Sequence, residues 1–345
     1  MIPMNKAFNS INIFLKNKLP SSAIIAVTLN CNARCIMCNI WKNKIKDELK
    51  PYEYLKLPGT LKEINITGGE PFIRNDLINI IENIKKICRK ARIVISSNGY
   101  LTDMIELMMR DIIKIDRTIA LRISIDGNEK THNTIRGLKN SYTKALDSIE
   151  KAKSVGVKDL GISMTISNIN VDQIYNVFEL SKQIGVEMTI GSVFESEIYF
   201  GRIDEYLGSF NIIELEKQLF LVAKERTKTL KIKEWARAWF EAELLNYIKN
   251  RQRPLNCNAG NSFFYMDSLG KIYGCHMIDN YIGDLRSVDN FFSLWNDEKR
   301  RSISLNSMKC NKCWMVCTSQ PGLNKEKYKI ILKIINYLVK NKILN

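Results

Sequence analysis

Six short apolar runs, at residues 23–29, 63–66, 91–96, 119–125, 160–166 and 188–193, punctuate the first two hundred positions of this chain. Between them stand longer stretches with apolar residues at three- and four-residue spacing, among them 75–90, 141–155 and 171–184. Most of the short runs are apolar throughout, which predicts strands buried on both faces, and the longer stretches predict amphipathic helices. Strand and helix in alternation predict an α/β fold with a parallel sheet and its helices outside. Six such units are too few to close an eight-stranded barrel. In parallel folds of this kind the chemistry gathers at the C-terminal ends of the strands.

Two more helical patterns follow, at 210–226 and 232–249. The second carries Trp235, Trp239 and Phe240 at helical spacing, a pattern that predicts packing against the sheet before it predicts substrate contact. From about residue 250 the pattern breaks into short, turn-rich segments, with 263–274 reading as a hairpin turned at Gly270. At 324–345 lysines are set among Ile, Leu and Val. This basic terminal helix has two readings, packing on the barrel or peripheral contact with an anionic membrane surface. The division that results is a lead-in at 1–22, an α/β core at 23–200, a helical connector at 201–250, a cysteine-rich domain at 251–320 and the helix at 321–345.

With 345 residues the chain has ample length for a large core. No run approaches the ~20 apolar residues of a membrane-spanning helix, and the N-terminus lacks a signal-peptide pattern. A cytoplasmic protein is expected. The net charge of +16 is compatible with nucleic acid, anionic lipid or acidic substrates, but it is spread along the chain and makes nucleic-acid binding the lesser expectation.

Nine cysteines in such a chain predict metal ligation rather than disulfides. Cys88, alone in a helical stretch, reads as a small buried hydrophobe. Cys31, Cys35 and Cys38, spaced C-x3-C-x2-C, directly follow the first strand. Three thiolates on one loop can hold three irons of a [4Fe–4S] cube, whose full ligand set is four, leaving one iron for a non-protein ligand.

That spacing resembles the radical S-adenosylmethionine (SAM) enzymes. Three further stretches carry the resemblance in order: Thr67-Gly68-Gly69-Glu70-Pro71, Ser96-Ser97-Asn98-Gly99, and Ser124-Ile125-Asp126-Gly127 with His132 and Arg136-Gly137. Each lies at the end of a strand-like run. The resemblance implies a partial (β/α)6 TIM-like barrel open on one side, a [4Fe–4S] cluster on the three cysteines, and SAM on the open iron. It implies that Gly68, Gly69 and Glu70 meet the SAM amino group, and that Asn98 and Ser124 face its ribose or carboxylate. Arg136 either pairs with the carboxylate or forms a surface salt bridge. The residue before the last cysteine is often aromatic in this family and near the adenine. Here it is Met37, which can still pack on a ring. The implied chemistry is one-electron reductive cleavage of SAM to a 5′-deoxyadenosyl radical that takes a hydrogen atom from substrate, with an external flavodoxin- or ferredoxin-type electron donor.

Cys257 and Cys275 flank the hairpin, and Cys310, Cys313 and Cys317 follow as C-x2-C-x3-C. This resembles the auxiliary-cluster extension called SPASM, or its shortened form, twitch. Five thiols are too few for two clusters, so one auxiliary [4Fe–4S] is implied on Cys257, Cys275, Cys310 and Cys313, with Cys317 spare or exchangeable. An all-cysteine zinc site is the competing reading, and with the positive charge it supports a hypothesis of another class, a zinc-bearing RNA-binding protein. His276 is either a base that deprotonates the substrate as its radical is oxidised or a structural histidine. The implied function is oxidation or other modification at carbon of a small biosynthetic intermediate, with a peptide- or protein-modifying maturase as the alternative.

Overall fold

The structure is a computed structural model, and it describes residues 19–43, 45–325 and 327–340. Most of the expected lead-in and the last five residues, including Lys342, lie outside the described residues.

Six parallel strands form the frame: β1 (Ser22–Thr28), β2 (Glu63–Gly68), β3 (Arg92–Ser97), β4 (Ala120–Ser124), β5 (Leu160–Ile166) and β6 (Glu187–Ser192). Each pairs in parallel with its sequence neighbour. Between them run α1 (Leu77–Ile87), α2 (Thr102–Ile115), α3 (Glu129–Arg136), α4 (Ser141–Ser154) and α5 (Ile174–Gln183). Every residue of β1 is buried, as a strand covered on both faces requires. β2 and β6 instead alternate buried and half-buried positions. This is the parallel α/β sheet that the apolar pattern predicts and the partial barrel that the resemblance implies.

After the short α6 (Glu205–Gly208) come α7 (Ile212–Thr227) and α8 (Ile232–Asn250), packed on each other. Arg226 of α7 is 2% exposed. It pairs with Glu241 of α8 at 2.8 Å and donates to the Met188 carbonyl of β6 at 3.0 Å, fixing the helix pair to the last barrel strand. Trp239 and Phe240 are buried as expected, but against Trp314 of the cysteine-rich region: Phe240 stacks on it at 5.0 Å and Trp239 meets it edge-on at 6.2 Å.

The region after residue 250 does not stand apart as the break in pattern suggests. β7 (Phe263–Met266) pairs in parallel with β1, Ser22 opposite Phe263 through Ile25 opposite Met266. The hairpin to β8 (Lys271–Tyr273) and on to β9 (Tyr281–Asp284) then extends the same sheet antiparallel. One nine-stranded sheet results, ordered β6-β5-β4-β3-β2-β1-β7-β8-β9. One hydrophobic core runs through both regions. The helices α9 (Phe291–Trp295), α10 (Glu298–Ser307) and α11 (Val316–Lys325) cover this extension, and α12 (Lys327–Lys340) packs on α8. Ile330 and Ile334 of α12 are buried, while Ile331, Leu332 and Ile335 are exposed. Among the described residues no helix is long and apolar enough to cross a membrane.

Candidate active site

The three-cysteine loop is built from the backbone outward. The amides of Arg34 and Ile36 donate to the carbonyls of Arg136 and Ile135, both at 3.0 Å. Those carbonyls belong to the last turn of α3, where a helix leaves acceptors unsatisfied, so the loop satisfies the helix end. On the other side the amides of Gly69 and Glu70 donate to the carbonyls of Thr28 and Asn30, at 2.7 and 2.9 Å. The two glycines are needed here because a Cβ on Gly68 would stand 2.1 Å from the Thr28 oxygen, and one on Gly69 2.1 Å from the Asn30 oxygen. Their missing side chains therefore serve the seating of β2 against the root of the cysteine loop. The Gly68 carbonyl itself accepts from the Tyr199 hydroxyl at 2.8 Å.

Glu48 braces the same strand end, accepting from the Thr28 hydroxyl at 2.6 Å and the Leu29 amide at 3.1 Å. The braced segment is gripped in turn by Arg286, just past β9. Arg286 donates to the Asp47 and Glu48 carbonyls, both at 3.1 Å, and to Glu53 at 2.9 Å. The sheet extension is thereby tied to the first cysteine loop by polar contacts as well as by the β1–β7 ladder.

Glu70, expected to meet SAM, points inward. It is 1% exposed and accepts from the Asn98 amide at 2.7 Å, the Ser97 hydroxyl at 2.9 Å and the Phe72 amide at 3.2 Å. It binds the end of β2 to the end of β3. Burial outweighs these donors and pushes its carboxyl up to about 7. The unfolded chain then releases this proton near 4.5 and the folded chain near 7, so stability falls as pH rises between those values. Glu70→Gln is expected to remove that part of the slope. It turns an amide NH2 toward one of the three donors, a loss of about 1–3 kcal/mol. Urea denaturation across that pH range checks both expectations.

Asn98 turns toward the loop. Its Nδ2 donates to Asn32 Oδ1 at 2.7 Å and lies 4.0 Å from the Cys31 sulfur. Ser124, half-buried at the end of β4, makes no side-chain hydrogen bond among the described residues. Met37 is half-buried on the loop.

Arg136 forms no surface salt bridge. It is buried, with Nη2 2.6 Å from Asp126 Oδ2 and Nη1 3.8 Å from the Cys35 sulfur. Asp126 is wholly buried and accepts from the Thr165 amide at 3.0 Å. The Asp126 amide donates to His132 Nδ1 at 3.1 Å. Burial, with Arg136 adding to it, holds the His132 ring down at about 4, so it stays neutral. Asp126 carries no assignment from the sequence, although the spacing of the Ser124–Arg136 motif places both partners near the loop.

All nine cysteines are free, and Cys88 is fully buried with its thiol toward the Pro58 carbonyl at 3.4 Å. The structure gathers the others into two groups. Cys31, Cys35 and Cys38 stand close enough to repel one another as thiolates, and burial raises Cys31 to about 12 and Cys38 to about 11. Cys257, Cys275, Cys310, Cys313 and Cys317 are likewise electrostatically connected, and burial raises Cys257 to about 11 and Cys313 and Cys317 to about 12. Cys317, on α11, is tied to the group through Cys275.

Both groups suit iron–sulfur ligation by their surroundings. In the second, Asn280 Nδ2 lies 3.7 Å from the Cys275 sulfur and the Thr318 hydroxyl 3.5 Å from that of Cys313. Arg253 Nη1 lies 3.5 Å from the Cys313 sulfur, and Arg253 has no carboxylate partner among the described residues. A cation with no carboxylate partner among the described residues, acting on Cys257, Cys313 and Cys317, fits a thiolate-ligated group of net negative charge. N–H groups aimed at ligand sulfurs are a known lever on such clusters. Among the described residues no group of three or more His, Cys, Asp or Glu side chains is drawn together as for a single metal ion.

His276, beside Cys275, is 2% exposed. Its ring packs against Phe200, Tyr199 and Tyr265 with centroids 5.7, 5.8 and 6.0 Å away. Burial lowers its pKa to about 4. The surroundings are those of a packed neutral ring, a setting the sequence gives no sign of because Tyr265 comes from β7 and Tyr199 from the segment after β6.

Residues 25–181 match the Radical SAM superfamily. The chain carries a radical SAM domain. It is 28% identical over 251 residues to the Fe-coproporphyrin III synthase of Methanosarcina barkeri, an alignment covering 70% of this chain and 58% of that protein. It is 30% identical over 225 residues to a GTP 3′,8-cyclase of Clostridium botulinum, covering 59% and 66%. The chain therefore spans less than two thirds of either relative. Among solved structures, anSMEcpe with bound AdoMet and the Cp18Cys peptide superposes with a TM-score of 0.64 at 15% identity, covering 92% of this chain and all of that one. That likeness shows the fold. The radical SAM domain implies a [4Fe–4S] cluster and SAM, and the Cys31, Cys35 and Cys38 loop at the end of β1 lies inside the matched residues. A zinc-bearing RNA-binding module does not account for the matched domain.

Proposed function

We propose that this radical SAM enzyme carries a second, auxiliary [4Fe–4S] cluster of the SPASM/twitch kind and uses it in oxidising, or otherwise modifying at carbon, a small biosynthetic intermediate. The observation that supports this is the electrostatic grouping of Cys257, Cys275, Cys310, Cys313 and Cys317 with Arg253, which has no carboxylate partner among the described residues, on the part of the sheet joined to β1. Four of the five would ligate the cluster. Cys31, Cys35 and Cys38 would hold the first, which supplies reductive cleavage of bound SAM.

The chain's own residues give this chemistry its geometry. Asn98 holds the loop from β3 and donates toward Cys31, and Arg136 sets a positive charge against Cys35. Ser124 offers a hydroxyl to SAM at the open end of β4. Tyr199 closes the site between the two cysteine groups, its hydroxyl on Gly68 and its ring on His276. A packed aromatic surround of this kind excludes water from reactive intermediates. His276 fits the positioning of Cys275 better than proton transfer.

A peptide substrate is the second reading, supported by the fold shared with a peptide-bound protein. The test is Cys275→Ala with Cys313→Ala. The reading expects this variant to lose about half of its iron after anaerobic reconstitution while still forming 5′-deoxyadenosine from SAM. Loss of no iron would contradict the auxiliary cluster.

A further inference from the structure

We propose that the N-terminal end of the barrel, opposite the cysteines, is a binding site for a polyphosphate anion. A cavity of about 1170 Å³ opens there. It lies where β3, β5 and β6 begin and where α1, α2, α5 and α7 end. Eleven of its lining residues are Lys or Arg and five are Asp or Glu, an excess of six positive charges.

The five carboxylates are already engaged. Asp116 pairs with Lys85 at 2.5 Å, Asp159 with Arg92 at 2.6 Å and Glu225 with Lys182 at 3.3 Å. Glu187 and Glu234 both pair with Arg237 at 2.7 Å. Arg89, Lys90, Arg117, Lys158 and Lys231 line the same cavity, are exposed, and have no ion pair among the described residues.

A bland explanation is that basic residues merely offset the negative ends of helices. The magnitudes do not allow it. Six of the cations in the lining are engaged, Arg226 also by Glu241, Arg92 by Glu63 and Lys182 by Glu179. Four helix C-termini contribute roughly −0.5 charge each and the α8 N-terminus roughly +0.5, about −1.5 in total, against the five cations that have no ion pair among the described residues. Most of the charge on those five is uncompensated, and a concave wall of low dielectric focuses its field.

The shape narrows the ligand. At about 1170 Å³ the cavity is slightly larger than the ~300–1,000 Å³ of most small-molecule sites, room for a phosphate chain with its hydration, whereas a protein partner's surface would need an extended face. Single-stranded RNA uses exposed aromatic rings for base stacking. The one aromatic residue in the lining, Phe178, is 6% exposed, with Arg226 and Lys182 already over its ring at 5.1 and 5.7 Å. Arginine and lysine around a concavity without stacking surface suit a short chain of phosphoryl groups, free or on a nucleoside.

The test is calorimetric titration of the full, anaerobically reconstituted chain with inorganic tripolyphosphate and with ATP, at low and high salt. One saturable site per chain is expected, weakening as salt rises. Arg117→Glu with Lys158→Glu is expected to lower affinity roughly tenfold or more, while Lys130→Glu, on α3 at the other end of the barrel, leaves it unchanged. Equal affinity for the two probes would assign recognition to the phosphate chain, and tighter ATP binding would add the nucleoside. No saturable binding, equal binding by the charge-reversed variant, or saturable binding of an RNA oligonucleotide alone would overturn the proposal.

Discussion

Alanine at Cys31, Cys35 and Cys38 together is expected to abolish formation of 5′-deoxyadenosine from SAM, to the level of a protein-free control under the same reductant. These are the cysteines of the loop that closes β1, and a cluster with an open iron has no other thiolates within the matched domain except Cys88, which is buried against Pro58. The loop keeps its shape without them, because its anchoring bonds are backbone ones: Arg34 and Ile36 to the end of α3, and Gly69 and Glu70 to Thr28 and Asn30. Far-ultraviolet circular dichroism of the variant should therefore match the parent. Cleavage above background in a variant of unchanged fold would remove the three cysteines from the chemistry.

Arg136→Leu is expected to destabilise the folded chain by about 3–5 kcal/mol, the range for stripping a buried ion pair of one partner. The reason lies with Asp126, wholly buried and left without its counter-charge. Asp126→Asn in the same chain should restore much of the loss, since its side-chain oxygen still accepts from the Thr165 amide. Urea denaturation of both variants measures this. A loss below about 1 kcal/mol would return Arg136 to the class of surface pairs. Because Arg136 also lies 3.8 Å from the Cys35 sulfur, its replacement should weaken SAM cleavage too.

The parallel α/β frame was legible because most strands between residues 22 and 192 hold a short apolar run and the helices between them carry apolar residues at helical spacing. The site was legible where spacing alone determines it, as in the three cysteines, which lie within the matched domain. Side-chain direction was not. Glu70 reads as a ligand contact, yet its carboxylate turns under the sheet to three donors that only the β2–β3 pairing brings there. Arg136 and Asp126 are ten residues apart, and their pairing depends on how α3 folds back over the loop. The longest-range feature, β7 beside β1, joins segments about 240 residues apart. Its signal was present in Phe263–Met266, four apolar residues in succession, which suits a strand covered on both faces better than the arm of an exposed hairpin. Cys317 reads as spare by counting alone, since four thiolates complete one cluster, and counting does not say which of the five stands off; the chain places it on α11, through Pro321.

Iron and acid-labile sulfide per chain, measured after anaerobic reconstitution, test the central claim most directly. Two [4Fe–4S] clusters predict about eight of each, falling to about four when Cys31, Cys35 and Cys38 are replaced. About four falling to none would leave one cluster and contradict the auxiliary site, and zinc in place of iron at Cys257, Cys275, Cys310 and Cys313 would contradict the oxidation chemistry assigned to it.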